Sequence, residues 1–244
     1  MAGIAGNPSI VTSGLALYLD AANRKSYVSG SNSWRDLSNN GNTGTLINSP
    51  GFSNNGRGTI VFDGTNDYVN CGNSSLLNPS SSFTLSCWFK ISNLEDVDGE
   101  SKGLVGKYSG ANNWRQFMLY YNSTSNSPAF IVSKDGTNVQ NTTIKSLGAG
   151  SVSREVWYNV TGVFTVSQKM EIFVNGELKS SAETPYLTQV YTGSPENFTI
   201  GTNTIVYGPA FSRSSISGVS LYNRALTASE IQQNYNALKG RFIN

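Results

Sequence analysis

Three acidic residues at alternate positions are the first candidates for chemistry in this sequence. Asp96, Asp98 and Glu100 would point to one face if residues 96–100 formed a strand. Glycoside hydrolysis with retention needs two carboxyl groups about 5 Å apart, and carboxylates on a glycine-containing turn also suit calcium. The segment falls between two predicted strands, where an ordinary solvated acidic loop is expected. Catalysis, calcium binding and a plain loop therefore remain open for this segment.

The absence of histidine excludes several classes of active site. None of the 244 residues is His, so Ser-His-Asp or Cys-His catalysis and His-containing zinc sites cannot occur. An enzyme would have to rely on carboxylates, Lys or Tyr, and beyond residues 96–100 the sequence contains no convincing acid pair. We therefore predict a protein that is not an enzyme and that requires no cofactor.

Cysteine content and charge limit the partners. Two cysteines are too few for a disulfide framework, and Cys87 lies in an apolar run where a buried free thiol is expected. A formal net charge of +2 gives no electrostatic basis for binding nucleic acid or acidic membranes. No apolar segment is long enough to cross a membrane, and residues 1–10 lack the pattern of a secretion signal. We expect synthesis in a cytoplasm and no membrane insertion.

Aromatic side chains in loops are the candidates for ligand binding, because sugar rings pack on exposed aromatic faces while amides and acids bind their hydroxyls. Arg115 could pair with a carboxylate of a glycan or of a neighbouring subunit. Packing of a loop over the body of the protein is the alternative for each aromatic residue. Trp88 and Trp157 lie within strand-like runs and are predicted to be core. The predicted glycan-binding residues are Trp34, Trp114, Arg115, Tyr191 and Tyr207.

Many short apolar runs separated by Gly, Asn, Ser and Pro predict an all-β protein. In residues 169–178 an apolar run ends at Asn175-Gly176, a pair that readily takes the positive φ of a two-residue hairpin turn. The number and spacing of the runs favour a two-sheet antiparallel β-sandwich over residues 15–244. Residues 1–14 are predicted as an amino-terminal arm that packs on a neighbour or frays. The predicted strands are 15–19, 59–62, 68–69, 83–91, 104–108, 116–121, 129–133, 142–146, 156–164, 169–178, 198–200 and 215–222.

One short helix is predicted near the carboxyl end. Thr227 and Glu230 form a capping-box pattern, and Leu226 and Ile231 occupy the positions of a hydrophobic staple. The periodic apolar face continues for about three turns, and Lys239-Gly240 is expected to close the helix. We expect the apolar face to pack on the edge or bottom of the sandwich.

Two segments in the middle of the chain resemble a known family. Residues 157–161 (WYNVT) and 172–178 (IFVNGEL) are similar to the centre of laminin-G-like domains of the concanavalin A lectin and glucanase superfamily. The resemblance implies a jelly-roll sandwich. It leaves lectin, enzyme and structural module open, because one fold hosts many functions.

A narrower resemblance covers nearly the whole chain. Six segments look like laminin-G-like proteins in the particles of tailed bacteriophages. This resemblance implies a structural, decoration or adhesion protein on the capsid or tail surface of a virion, made in the host cytoplasm. Its partners would be other virion proteins and copies of itself, in a homo-oligomer. The segments are residues 8–15, 19–23, 33–38, 41–46, 62–69 and 221–231.

The family resemblance also bears on metal and catalytic residues. Laminin-G-like domains often hold calcium near a sandwich rim, which implies oxygen ligands in two turn-rich segments. Asp-Gly and Asn-Gly pairs are also ordinary turn formers, which is the alternative. Related glucanases use a Glu-x-Asp-x-Glu strand, whereas here Asp96 stands first and a Gly interrupts the segment. The predicted calcium ligands are Asp36, Asn42, Asp63 and Asp67.

Three functions follow from these observations. The first is a non-enzymatic virion protein that binds host or environmental glycans through the rim loops of its sandwich. The second is a free-standing carbohydrate-binding lectin, and the third is a glycan-cleaving enzyme that relies on residues 96–100.

Overall fold

The chain folds as a sandwich of two antiparallel β-sheets with one short helix near its carboxyl end. The computed structural model describes residues 9–94, 101–205 and 208–242. This architecture confirms the fold class that the sequence predicted. Among the described residues, no helix is long and apolar enough to cross a membrane.

The strands agree with the predicted ones to within a few residues at most ends. Five further short strands, β2 to β4, β16 and β17, were not predicted, and most of β14 lies beyond the predicted range 169–178. In chain order the strands are β1 (Leu15–Asp20), β2 (Ser33–Trp34), β3 (Gly44–Ile47), β4 (Gly51–Ser53), β5 (Thr59–Val61), β6 (Tyr68–Asn70), β7 (Phe83–Ile91), β8 (Ser101–Ser109), β9 (Trp114–Asn122), β10 (Ser127–Ser133), β11 (Ile144–Gly148), β12 (Tyr158–Thr165), β13 (Lys169–Val174), β14 (Glu177–Glu183), β15 (Thr199–Ile200), β16 (Thr202–Ile205), β17 (Gly208–Phe211) and β18 (Ser214–Tyr222). The helix α1 spans Ala228–Leu238, and single 3-10 turns cover Asn55–Arg57, Ser75–Leu77, Ala111–Asn113 and Lys239–Arg241.

The two sheets differ in the number and order of their strands. The eight-stranded sheet runs in the order β14-β13-β12-β7-β18-β5-β4, and β1 pairs with the far end of β18. The ten-stranded sheet runs in the order β11-β10-β9-β8-β15-β6-β3-β2, and the hairpin of β16 and β17 lies beside β8. Strands distant in sequence are therefore neighbours, as expected for a sandwich with long connections.

Phenylalanine rings fill the space between the two sheets. Phe83 of β7 lies 4.7 Å from Phe117 of β9, 5.7 Å from Phe130 of β10 and 5.9 Å from Phe164 of β12, measured between ring centroids. All four side chains are fully buried. Removing one such side chain from water stabilises the fold by about 1.5–3 kcal/mol, so this cluster is a major link between the sheets.

The hairpin between β13 and β14 has the predicted turn. Asn175 and Gly176 take φ values of 54° and 80°, the combination that a type I′ turn needs. Val174 pairs directly with Glu177 across the turn. The Asn-Gly pair in the sequence was therefore sufficient to place this turn, although the pairing register shifts further along the hairpin, between Ile172 and Phe173.

The carboxyl-terminal helix covers the outer face of the eight-stranded sheet. The capping box is formed: Glu230 N donates to Thr227 Oγ1 at 3.3 Å, and Thr227 N donates to a Glu230 carboxylate oxygen at 2.9 Å. Leu226 and Ile231 are buried in one cluster with Val163 of β12. Val163 points away from the sandwich core, so the helix seals this face rather than an edge.

The residues after the helix continue this cover. Phe242 stacks on Trp88 at a centroid distance of 4.2 Å and contacts Trp157 at 4.9 Å. Tyr235 of α1 stacks on Trp88 at 5.6 Å. Trp88 and Trp157 are therefore buried, as predicted, but beneath the helix and its following turn rather than between the sheets.

Residues 9–14, the described part of the predicted arm, contact the helix of the same chain. Val11 N donates to Asn234 Oδ1 at 2.8 Å, and Tyr222 donates its hydroxyl to the Val11 carbonyl at 3.0 Å. Gln233 donates to the Ser9 carbonyl at 2.7 Å. These hydrogen bonds make residues 9–14 an ordered part of the domain.

Candidate functional site

A surface cavity of about 280 Å³ lies on the outer face of the ten-stranded sheet, where β6, β15 and β8 are neighbours. Val69 and Ile200 point into the core and are fully buried, so the adjacent side chains on these strands point outward. We call this space the outer cavity. Its lining residues are Tyr68, Asn70, Tyr108, Glu196, Asn197, Thr199, Thr202, Asn203 and Phe211.

Three partly exposed aromatic rings border the outer cavity. The rings of Tyr68 and Phe211 are tilted by 41° with centroids 6.2 Å apart, and Tyr108 of β8 belongs to the same lining. Burial raises the pKa of Tyr108, and the nearby Arg115 opposes part of this rise. The Tyr108 hydroxyl is therefore a neutral hydrogen-bonding group at physiological pH.

Polar groups complete the lining with amides, hydroxyls and one carboxylate. Asn203 is only 3% exposed, and its Nδ2 donates to the Ser101 carbonyl at 3.1 Å. Its Oδ1 is covered and has no donor among the described residues. An unpaired buried acceptor costs about 1–3 kcal/mol, so a donor that reaches Asn203 after a small side-chain shift would stabilise the site.

The side chain of Lys107 on β8 points towards the core and hydrogen-bonds to the loops beside the outer cavity. Its side chain is fully buried, and Nζ donates to Asn73 Oδ1 at 2.5 Å and to Asn78 Oδ1 at 3.3 Å. Asn73 also donates to the Pro195 carbonyl at 3.4 Å, next to Glu196. Burial lowers the pKa of Lys107 to about 8, and the Glu196 carboxylate opposes part of this decrease.

The predicted glycan-binding residues do not form this cavity. Trp34 is 0% exposed and belongs to the core between the sheets, so its ring cannot meet a sugar and the prediction for it was wrong. Tyr207 lies outside the described residues. Trp114, Arg115 and Tyr191 are described, and none of them lines the outer cavity.

Arg115 and Tyr191 come together around Gly136. Arg115 is 7% exposed and donates to Asn113 Oδ1 at 2.9 Å and to the Gly136 carbonyl at 3.3 Å. A Cβ at Gly136 would overlap the Asn113 carbonyl and lie 2.9 Å from the Tyr191 ring. The guanidinium of Arg115 thus binds oxygens of its own chain, and its pairing with an external carboxylate stays a prediction. Trp114 and Tyr191 are partly exposed at this position.

Asp36 and Asn42, two of the predicted calcium ligands, lie together in the loop between β2 and β3. Asp36 Oδ1 accepts hydrogen bonds from the backbone N–H of Tyr18 at 3.0 Å and of Ser38 at 2.9 Å, and Oδ2 accepts one from Asn42 N at 3.0 Å. Asn42 Nδ2 donates to the Ala16 carbonyl at 3.1 Å. Both side chains therefore hold this loop against β1.

Asp63 and Asp67 lie in a separate turn shortly after β5. Hydrogen bonds from the backbone of Thr65 and Asn66 lower the pKa of Asp63, whereas burial and the Asp63 charge raise the pKa of Asp67. Within the part of the chain that the structure describes, no three acidic, His or Cys residues form a group that could hold a metal ion. Asp36 therefore does not share a site with these two acids, and calcium at either turn stays a prediction.

The other candidates for chemistry are buried or outside the described residues. Asp96, Asp98 and Glu100 fall in the undescribed segment 95–100, so their three alternatives remain open. Cys71 and Cys87 are free and buried, as predicted for Cys87. Burial raises the pKa of Cys71 to about 12 and that of Cys87 further, so neither thiol is a nucleophile at neutral pH.

The aromatic residues in loops that were predicted to bind ligand do not lead to the outer cavity. Tyr68 and Tyr108 lie on strands, and the signal for Tyr68 was the alternation in residues 68–70, which places Val69 inward and its neighbours outward. For Phe211 and Asn203 the sequence offered no comparable signal, because the hairpin of β16 and β17 was not predicted.

A family model matches the central and carboxyl-terminal parts of the chain. The family is described as the concanavalin A-like lectin/glucanases superfamily, and the match covers residues 63–232, more than half of the chain. This range includes every residue that lines the outer cavity. No curated protein matches the chain.

Solved structures share the fold at low sequence identity. The binding domain of Paraclostridial Mosquitocidal Protein 1 has a TM-score of 0.69 at 16% identity, over 92% of this chain and 52% of that chain. The binding domain of botulinum neurotoxin DC in complex with SialylT has a TM-score of 0.67 at 14% identity, over 93% and 52%. The Trypanosoma rangeli sialidase in complex with sialic acid has 0.66 at 17%, over 97% and 35%. The chain thus spans about half or less of each of these proteins.

Proposed function

The chain belongs to the concanavalin A-like lectin/glucanases superfamily, and on this premise we propose that it binds carbohydrate in the outer cavity without cleaving it. One observation carries the proposal: partly exposed aromatic rings and amide, hydroxyl and carboxylate groups line the same cavity. Apolar C–H faces of a sugar ring can pack on Tyr68, Tyr108 and Phe211. The hydroxyls of the sugar can meet the polar groups between these rings.

The related structures support a glycan as the ligand class. Two of them are binding domains, one of which was solved with SialylT, and the sialidase was solved with sialic acid. The cavity volume of about 280 Å³ is at the lower end of ligand clefts, which suits one or two sugar residues more than a long chain.

The lining of the outer cavity supports binding without turnover. Hydrolysis by the common mechanisms uses two carboxyl groups, one on each side of the glycosidic bond. Among the described lining residues Glu196 is the one carboxylate. The chain also lacks histidine, which removes the general base most often used near neutral pH.

We further propose that the domain is displayed on the surface of a tailed-bacteriophage particle, as several copies among other virion proteins. The support is the sequence resemblance over six segments and the neutral, amide- and hydroxyl-rich composition. Mass spectrometry of gradient-purified particles should find the chain at a copy number that fits a symmetric assembly. Its absence from intact particles would leave the second function, a free-standing lectin.

The binding proposal can be tested with purified chain on a glycan array, with and without a calcium chelator. We expect binding to a defined set of glycans and a loss of about tenfold or more in Tyr68→Ala, because the variant removes one aromatic wall. Phe52→Ala is the matched control: Phe52 is a partly exposed aromatic residue that lines a different surface cavity with Tyr27.

Three outcomes would contradict parts of this proposal. Absence of binding across the array overturns carbohydrate binding. Binding that Phe52→Ala abolishes and Tyr68→Ala preserves moves the site away from the outer cavity. Release of reducing sugar from any bound glycan, lost in Glu196→Gln, shows that the protein is an enzyme.

A further inference from the structure

We infer that the outer cavity selects neutral sugars and discriminates against sugars that carry a carboxylate, such as sialic and uronic acids. The inference rests on the proposed function and adds the chemical class of the ligand. It comes from the charges and hydrogen-bonding groups around the cavity. The related structures alone would suggest a sialylated ligand, because two of them were solved with SialylT or sialic acid.

The charge that lines the outer cavity is negative. Glu196 contributes a carboxylate, and no Lys or Arg is among the described lining residues. The sequence of the adjacent hairpin, residues 202–211 (TNTIVYGPAF), also contains no Lys or Arg. Proteins usually bind sugar carboxylates through Arg or Lys, whose charge offsets the cost of removing an anion from water. The described lining residues include no Arg or Lys that could offset this cost.

Two cations lie near the cavity, but both are buried and paired within the chain. Lys107 donates to Asn73 and Asn78 from the core side of β8. Arg115 lies opposite Tyr108 on the neighbouring strand, interacts with the Tyr108 side chain, and donates to Asn113 and to backbone carbonyls of its own chain. To bind a ligand carboxylate, Lys107 would have to leave these oxygens and cross the sheet, and Arg115 would have to leave the oxygens that hold its guanidinium. A buried cation that already has partners does not make such an exchange without loss of stability.

The polar groups of the cavity favour a ligand that donates hydrogen bonds. The carboxylate of Glu196 only accepts, and Asn203 Oδ1 is an acceptor with no donor among the described residues. Sugar hydroxyls and the N–H of an N-acetyl group are donors. A carboxylate offers acceptors alone and would face Glu196 at close range, where like charges repel. A neutral hexose or N-acetylhexosamine therefore fits these groups, and an acidic sugar does not.

Matched pairs of glycans test this inference. Each pair contains one neutral glycan and the same glycan with a terminal sialic acid, and binding is measured for the whole chain at about 0.05 M and at higher salt. We expect sialylation to weaken binding about tenfold at low salt and less at high salt, because salt screens the repulsion. In Glu196→Gln the difference within each pair should shrink, whatever the change in affinity for the neutral member. Glu183→Gln, on the distant strand β14, is the charge-matched control and should leave the ratio unchanged.

Each result has a distinct meaning. A preference for the sialylated member overturns the inference and leaves carbohydrate binding in place. A neutral preference that is the same in Glu196→Gln overturns the assignment of selectivity to this carboxylate. Failure of both members of every pair to bind overturns the proposed function itself. Intrinsic fluorescence and thermal unfolding of each variant establish that it is folded before its binding is compared.

Discussion

The two outer faces of the sandwich both carry aromatic residues, but they use them differently. On the eight-stranded sheet Trp88 and Trp157 are covered by Tyr235 and Phe242 of the same chain. On the ten-stranded sheet the rings that border the outer cavity stay partly exposed and are interspersed with amides and hydroxyls. The first face is closed by the carboxyl end of the chain, and the second is open to a ligand.

This difference shows how a sheet surface can be assigned a role. Aromatic rings stacked on one another at 4–6 Å over an apolar helix face contribute to stability. Aromatic rings interspersed with polar groups, among them the unpaired Asn203 Oδ1, leave hydrogen-bonding capacity unused, which a ligand can satisfy. Substitutions on the closed face should therefore affect unfolding, and substitutions on the open face should affect binding.

The largest effect is expected on the closed face. Trp88→Ala removes a buried ring that stacks on both Tyr235 and Phe242, so we expect the free energy of unfolding to fall by about 3–5 kcal/mol. Urea unfolding followed by circular dichroism measures the change. Tyr68→Ala serves as the open-face counterpart and should lose much less stability. Equal losses in the two variants would refute the distinction between the faces.

Two phenylalanines, one on each outer face of the sandwich, separate effects on binding from effects on stability. Phe211→Ala removes a ring of the outer cavity, so we expect glycan binding to weaken about tenfold with only a small change in unfolding. Phe242→Ala uncovers Trp88 and Trp157 and should reduce stability while the affinity of the folded protein stays the same. Titration calorimetry and thermal unfolding of both variants check these outcomes. A weaker affinity in Phe242→Ala alone would place the ligand on the closed face.

The helix cap that closes the eight-stranded sheet should show a pH dependence. Arg224 donates two hydrogen bonds to Glu230, and together with Thr227 it lowers the pKa of Glu230 from 4.5 to about 2. The stability that this carboxylate contributes is therefore complete above pH 4.5 and is lost as the pH falls through about 2. We expect Glu230→Gln to cost about 1–2 kcal/mol at pH 7 and almost nothing near pH 2.

Urea unfolding of wild type and Glu230→Gln across this pH range measures the effect. Glu177→Gln is the control, because Glu177 forms an exposed ion pair with Lys179 on β14, and such pairs contribute little. A constant difference between wild type and Glu230→Gln from pH 7 to pH 2 would show that the charge of Glu230 does not stabilise the cap.

The smallest effect concerns Lys107, beside the open face. Its pKa falls from 10.5 in the unfolded chain to about 8 in the folded chain, so the unfolded chain holds more protons between these values. Stability should rise with pH from about 8 to 9, by less than about 1 kcal/mol. Above pH 9 the raised pKa values of Cys71 and Cys87 act in the opposite direction. Lys107→Met should abolish the rise, and an unchanged rise in this variant would assign it to another group.

Much of the fold could be predicted because local sequence and tertiary structure agree. The Asn175-Gly176 pair fixes a turn by its backbone conformation alone, and the Thr227 capping box fixes the start of the helix. Strands such as β7 can be recognised in the sequence because core-facing and outward-facing residues alternate. The short strands β2 to β4 were missed because two to four residues carry too little pattern, and their pairing depends on distant partners.

The candidate site was harder to predict because it is assembled from four separate stretches of the chain. Tyr68 and Phe211 are more than a hundred residues apart, and nothing local to either position indicates that their rings meet. Trp34 was wrongly predicted to be exposed, because it lies in a polar segment although its ring belongs to the core. Neighbouring polar residues indicate an exposed backbone, whereas the direction of one side chain depends on the pairing of its strand.

The position of the two chain ends has a consequence for presentation. Ser9 hydrogen-bonds to Gln233 of the helix, and Phe242 packs on Trp88, so both described ends lie on the closed face. The outer cavity opens on the opposite side of the sandwich. A linkage through either end, to a larger protein or to an assembly, would therefore direct the cavity away from the point of attachment and towards the surroundings.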